Sequence, residues 1–312
     1  MRLLDAAAIE AAGDWAALTE HLLAAHRTPK AAVRDLLMRA ETGPQAWLTR
    51  AAWVPGGDLG LKSVTVFPAN PQAEPPRPSV NGAFLLFSSE TGEVEAVLDG
   101  AALTAWKTVA DSALGARLLA REDAETLLVV GAGAIAERLP EAWLAVRPGL
   151  RRVRIWNRSP ERAEALAARL AARLPLEVAA APDLEAAVRE ADAISCATMA
   201  TEPVIRGDWL APGAHLDLIG AYRPDMREAD DACLRRGRLF VDARETTVHE
   251  IGELMIPIAA GVIGEDAVVA DLRDLAAGAE GRRSAEEITL FKNGGGAHLD
   301  LMTARFLLDR AA

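Results

Sequence analysis

The chain is predicted to be an α/β protein whose larger part is a doubly wound parallel sheet of the Rossmann type. Three observations predict it. An apolar run, Leu127 to Val130, feeds straight into Gly131-Ala132-Gly133-Ala134-Ile135-Ala136. An alanine-rich helical pattern then leads to a short strand around Val153 and Ile155, so the glycines lie in a βαβ unit of about 30 residues, the setting that gives G-x-G-x-x-[GA] its meaning. Strands and helices keep alternating beyond it, as a parallel sheet requires.

Each part of the unit has a physical job. Gly131 permits the tight turn out of the strand, and Gly133 lets backbone approach a pyrophosphate seated on the helix start formed by Ala134 and Ile135. Ala136 is small enough for the helix to pack on the strand. The next strand ends Trp156-Asn157-Arg158-Ser159, without the acid that an NAD site uses to bind the adenosine ribose. A guanidinium binds phosphate oxygens in bidentate fashion, while Asn and Ser donate hydrogen bonds to them. The expected cofactor is therefore NADPH. Ser159 also reads as the N-cap before Pro160, which is compatible because a cap stands where the phosphate would.

Composition narrows the class. With 312 residues, 51% of them hydrophobic, the chain can bury a large core arranged as one large or two modest domains. A net charge of −11 leaves no broad basic surface, so no nucleic-acid partner is expected. No apolar stretch reaches the roughly 18 residues of a membrane span, and the N-terminal segment is punctuated by acids, so a soluble, cytoplasmic protein is expected. Cys196 and Cys233 lack CxxC spacing, and His21, His26, His215, His249 and His298 lack ligand spacing. No metal site is expected.

In chain order, residues 1 to 43 read as helical, broken at Thr28-Pro29. Short strands follow at 46–54, 61–67, 84–87 and 94–98, separated by Gly- and Pro-rich turns. A helix over 103–121 carries the chain into the nucleotide domain. Helices at 160–174 and 182–190, the latter capped by Asp183, alternate with strands at 176–179, 193–197, 215–219 and 239–241. Ser284-x-x-Glu287 has capping-box spacing, and a last helix spans 298–310. Domain limits are expected near residues 115 and 290, giving 1–114 plus 290–312 for one domain and 115–289 for the nucleotide domain. Thr198 and Met199, after the strand ISCA, are placed where the carboxyl ends of such a sheet meet a nicotinamide. Gly294 to Gly296 read as a close backbone approach to the same ring or as a turn. Asp225 and Glu228 read as a carboxylate pair or as a capping turn.

Several ordered motifs resemble one family over nearly the whole length: GLKSVTVFPANP (60–71), LDGAALTAWKTVADSALGARLLA (98–120), VVGAGAIA (129–136), WNRSPERA (156–163), DLIGAYRPDMREAD (217–230) and LFKNGGGAHLDLMTA (290–304). The chain is similar to the ornithine cyclodeaminase/mu-crystallin family. That resemblance implies a Rossmann NAD(P) domain inserted in an α+β domain for substrate binding and homodimerisation. It also implies a carboxylate-bearing amino- or imino-acid substrate, held by Arg34, Lys62 and Lys107, with Arg39 a rival for Arg34 and Lys107 standing where many relatives carry Arg. From the residues alone, Lys62 is a cation in an alternating strand of valines, solvated on one face or paired on the other. Asn157-Arg158-Ser159 and Tyr222, the latter where cyclodeaminases carry a catalytic Asp, resemble the ketimine-reductase branch. The implied activity is NADPH-dependent reduction of a cyclic imino acid, with Lys62 or a water donating the proton. A cyclodeaminase, an amino-acid dehydrogenase and a non-catalytic NADPH- and ligand-binding protein are the alternatives.

Overall fold

The computed structural model describes Met1–Ala311, apart from the side chain of Pro71, and these residues fall into two compact units: Met1–Lys107 with the chain from Gly296 onward, and Thr108–Gly295.

In the first unit, β1 (Arg2–Leu4), α1 (Ala6–Ala12) and α2 (Trp15–Ala25) precede β2 (Ala32–Arg39), β3 (Ala46–Trp53), β4 (Leu59–Val66), β5 (Val80–Phe87) and β6 (Val94–Asp99), and the unit closes with α11 (Ala297–Arg310). Local chemistry sets the helices. Asp5 caps α1 by accepting from Ala8 N at 2.8 Å, and Asp14 caps α2 by accepting from Ala17 N at 3.0 Å, satisfying N–H groups that a helix leaves open. Gly13 stands between them because a Cβ there would meet the Trp106 ring at 2.0 Å. The six strands run β1-β6-β5-β4-β3-β2 in one sheet, antiparallel except for β1 with β6. Residues 32–39 are thus a strand, against the helical expectation for residues 1–43. AVRDLLMR fits either period, and eight-residue pairing with β3 decides for the strand.

The second unit is the predicted parallel sheet. Its elements are β7 (Thr126–Val130), α4 (Ala134–Val146), β8 (Arg152–Trp156), α5 (Pro160–Ala171), β9 (Glu177–Ala180), α6 (Leu184–Glu190), β10 (Ala193–Cys196), β11 (His215–Leu218), α7 (Asp231–Arg236), β12 (Arg238–Val241), α8 (Arg244–Thr247), α9 (Gly252–Ala259), β13 (Val268–Asp271), α10 (Leu272–Ala276) and β14 (Thr289–Lys292). Eight strands run β13-β12-β14-β11-β10-β7-β8-β9, every pair parallel. β7, β10, β11 and β14 are buried along their whole length, as expected of central strands covered on both faces.

The division between the units differs from the expected 114/115 and 289/290. It falls within α3 (Gly100–Leu119), after Lys107, and before Gly296. The second shift has a clear reason: Thr289–Lys292 pair with both β11 and β12, so this segment is a central strand of the parallel sheet. The capping-box spacing at Ser284 starts no helix. Ser284 Oγ accepts from Glu286 N and Glu287 N at 3.3 and 3.2 Å, closing a turn before β14. Among the described residues no helix is long and apolar enough to cross a membrane.

Candidate active site

At the strand-order reversal between β7 and β10, the glycine turn has the geometry its sequence implied. Gly131 takes φ +126°, and a Cβ there would lie 2.6 Å from Ala197 O, so only glycine fits. Gly133 is the N-cap of α4. A Cβ built on it meets nothing within 4 Å, which marks open space over the first turn, where Ala134 and Ile135 present backbone N–H groups without helical acceptors. Ala136 is fully buried. A pyrophosphate fits this cradle by charge, by the helix macrodipole and by room.

The tip of β8 lies beside it, Gly131 N donating to Trp156 O at 2.8 Å. Asn157 Nδ2 donates to Ser159 O at 3.1 Å, drawing the turn tight. Arg158 is exposed, and Ser159 caps α5 by position while its hydroxyl makes no cap bond. No acid occupies 157–159.

Thr198 and Met199 follow β10, and Thr198 is held by Glu228, which the sequence left between a pair and a cap. It is neither. Glu228 is fully buried and accepts from Thr198 N at 2.8 Å, Thr198 Oγ1 at 2.7 Å and Gly220 N at 2.6 Å, tying the loop after β10 to the loop after β11. Gly220 is required there, since a Cβ would meet Thr198 O at 1.9 Å. Glu253 in turn accepts from Glu228 N and Ala229 N at 2.8 and 3.0 Å. Asp225 is exposed and pairs with Arg223 at 2.8 Å. Met199 and Tyr222 are exposed, at 66% and 55%. Gly295 takes φ +67° and donates to Asp242 Oδ2 at 2.5 Å, while a Cβ on Gly294 would meet Thr247 Cγ2 at 2.6 Å. This glycine run is therefore a tethered turn packed on α8.

Beneath the loops, Asp217 accepts from Ser195 Oγ at 2.7 Å and Ser112 Oγ at 3.0 Å. Burial pushes its carboxyl up from 3.8 to about 7, against the opposing pull of the two hydroxyls and Lys292. Because the folded state holds this proton more tightly than the unfolded chain, stability falls as pH rises from about 4 to about 7 and levels off above. Thermal melts between pH 5 and 8 are expected to show that loss, on the order of 2.5–3 kcal/mol from Asp217, with Glu228, also raised by burial to about 7, adding to it, and Asp217→Asn to reduce the slope without abolishing it. An unchanged pH slope in the variant would show that Asp217 titrates normally.

In the first unit, Lys62 and Lys107 are both only 5% exposed. Lys62 projects from β4 on the face covered by α11, and its Nζ lies 2.7 Å from Asp300 Oδ2. The solvated alternative for Lys62 is thereby excluded. Arg50 on β3 lies directly opposite Lys62 in the ladder and so shares its face. It is held by Asp35, with Nε at 2.8 Å and a terminal nitrogen at 2.7 Å from Oδ2. Burial pushes the Asp300 carboxyl up, but Lys62, Lys107 and Arg50 together pull it below the usual range. His298, pushed down to about 3 by burial and by His26 and Lys107, is neutral.

Arg34 is not part of this cluster. It pairs with Ala51, one residue out of step with the Asp35–Arg50–Lys62 row, so it points to the opposite face. There it is exposed and donates to Val33 O at 2.7 Å. Arg39 is four residues along β2 from Asp35, opposite Ala46. The residues missed in the sequence are Arg50 and Asp300. An arginine in AWLTRAAWV and an aspartate in the first turn of a helix both carry ordinary surface readings; sheet register places half-buried Arg50 on the face of Lys62, and the docking of α11 makes Asp300 the buried partner of Lys62.

A fully parallel doubly wound sheet with this glycine turn at its reversal point defines a Rossmann-type dinucleotide-binding protein. The chain belongs to the ornithine cyclodeaminase/mu-crystallin family, whose model matches residues 54–312. It is similar to the Δ1-pyrroline-2-carboxylate reductase of Paracoccus denitrificans, 49% identical over 94% of this chain and 92% of that one. It is also similar to mouse ketimine reductase mu-crystallin, 36% identical over 74% and 70% of the two chains. Among solved structures, the Thermococcus litoralis Δ1-pyrroline-2-carboxylate reductase in complex with NADH and L-proline matches with a TM-score of 0.92 and 29% identity, covering 100% of this chain and 97% of that one.

Proposed function

We propose that the protein is an NADPH-dependent reductase of a cyclic imino acid such as Δ1-pyrroline-2-carboxylate or Δ1-piperideine-2-carboxylate, yielding the cyclic amino acid. The observation that carries this reading is the likeness to the Paracoccus reductase over nearly the whole chain, and the buried cations of the first unit agree with it. Lys62 and Lys107 bind the substrate carboxylate, the role the resemblance also gives to Arg34. Lys62 delivers a proton to the imine nitrogen, because an iminium accepts hydride far more readily than a neutral imine. When bound, the reduced nicotinamide supplies the hydride. The backbone around Gly131, Gly133, Ala134 and Ile135 holds its pyrophosphate, and Thr198, fixed by Glu228, borders its ring together with Met199. The direct assay is NADPH oxidation against cyclic imines, open-chain 2-oxo acids with amines, and ornithine. Turnover of the cyclic imines supports the reading, and none with any substrate would favour a binding protein.

NADPH is the preferred cofactor in this reading, on the strength of Asn157, Arg158 and Ser159, with Arg158 exposed and the Ser159 hydroxyl uncommitted to its helix. Arg158→Ala is expected to erode the preference over NADH by roughly 1.5–3 kcal/mol, the scale of a hydrogen bond to a charged group. Equal affinities for NADPH and NADH in the unmodified protein, read by fluorescence titration, would refute it. The same reading places the protein in the cytoplasm as a homodimer. Leu36, Met38, Trp47 and Trp53, exposed on the face of the first sheet opposite Lys62, offer apolar surface to a second copy, and sedimentation measures the association.

A further inference from the structure

We propose that Asp300 is a positioning residue of the substrate site, fixing the place of the Lys62 ammonium through their buried ion pair. The inference rests on the imino-acid reading above and adds to it a residue that neither the motifs nor the resemblance assigns.

The geometry carries the argument. A lysine on a strand has four methylenes and many rotamers, and side-chain entropy opposes any single placement. Here the choice is made by a carboxylate 2.7 Å from Nζ, on a helix whose own position is set by packing. Asp300 is fully buried, in the first turn of α11, where the helix N-terminus favours an anion. The surrounding charged and titratable groups come from every neighbouring element: Lys62 on β4, Arg50 on β3, Lys107 on α3, His298 on α11 and His26 after α2. Lys62, Lys107 and Arg50 keep Asp300 anionic, so it repels a substrate carboxylate itself and acts through Lys62. A buried carboxylate needs a cation partner in any case. A purely structural pair would serve stability alone, whereas a positioning pair also sets the affinity of Lys62 for substrate.

The two differ in what kinetics report. Asp300→Glu keeps the charge but moves it by one methylene, and Asp300→Asn keeps the shape but removes the charge. For Δ1-pyrroline-2-carboxylate, Asp300→Asn is expected to lower kcat/KM by about 30-fold or more, mainly through KM, with NADPH KM changed less than twofold. Asp300→Glu is expected to fall between Asn and the unmodified protein with little change in Tm. In a Lys62→Met background, adding Asp300→Asn should cost less than twofold, because residues that act through one another are not additive. Full kinetics in Asp300→Glu, with a drop in Tm alone for Asp300→Asn, would overturn the proposal, as would full additivity with Lys62→Met. If Asp300→Asn does not fold, the Glu variant still decides. Calorimetry with L-proline and with pyrrolidine, which lacks the carboxylate, separates the two levels. An unmodified protein that neither turns over the imine nor binds L-proline overturns the functional reading and this proposal together, whereas normal turnover unaffected by either Asp300 variant overturns the proposal alone.

Discussion

Lys62→Met is expected to lower kcat/KM for a cyclic imino acid by roughly 10³-fold or more while leaving NADPH affinity within about twofold. The magnitude combines about 10–100-fold for a lost charge-assisted pair with the substrate carboxylate and about 10²-fold for a lost proton donor. Stability should fall as well, because the substitution leaves Asp300 fully buried without the ammonium that lies 2.7 Å away. Orphaning one member of a buried ion pair costs about 3–5 kcal/mol. Reading KM, kcat and Tm together separates the effects: a lower Tm with unchanged kinetics would leave Lys62 a purely structural ion-pair partner. Adding Asp300→Asn to Lys62→Met should recover part of the lost Tm, since the uncompensated charge is then gone.

No ammonia is expected from L-ornithine and NAD+. Cyclodeamination requires the amine to be oxidised, the ring closed with loss of ammonia and the hydride returned, and ring closure needs a general base to free a protonated amine. By the resemblance drawn from the sequence motifs, Tyr222 stands where the family's cyclodeaminases carry an aspartate. It is 55% exposed, with the Arg223 guanidinium 5.6 Å from the ring centre, and it brings no carboxylate to that position. The carboxylates nearby do not substitute for it. Asp225 is engaged by Arg223, and Glu228 is buried under four donors from Thr198, Gly220 and Ala221. A reductase needs no such base, because its substrate arrives cyclised. An enzyme-coupled ammonia assay beside NADPH oxidation with a five- or six-membered cyclic imine tests both halves, and sustained ammonia release by the unmodified protein would refute the assignment.

Much of the second unit was legible in the chain because its determinants are local. A buried strand, a turn that admits only glycine and a helix N-terminus must follow one another within a few residues, so Gly131, Gly133 and the tip at Asn157–Ser159 could be placed from spacing alone. Caps such as Asp183 were legible for the same reason, since their hydrogen bonds span three residues. The first unit was less so. AVRDLLMR was read as helix because its apolar pattern is ambiguous, and its partner strand β3 lies across a hairpin. The role of Glu228 was hidden because its donors come from Thr198 and Gly220, whose meeting depends on two parallel strands lying side by side.

The sequence by itself determined the parallel nucleotide fold, the glycine turn and the absence of an acid after β8, all of which follow from residue type and short-range order, while Lys62 and Lys107 were singled out by the family resemblance of the motifs around them. Only the tertiary structure decided which charges meet. Strand register set Arg50, and not Arg34, on the Lys62 face, and the return of the last helix brought Asp300 to Lys62 across 238 positions of chain. The reason is that side-chain direction in a sheet reverses with a shift of one residue, and that the Coulomb energy of a buried pair depends on distance in space, neither of which one chain read in order contains.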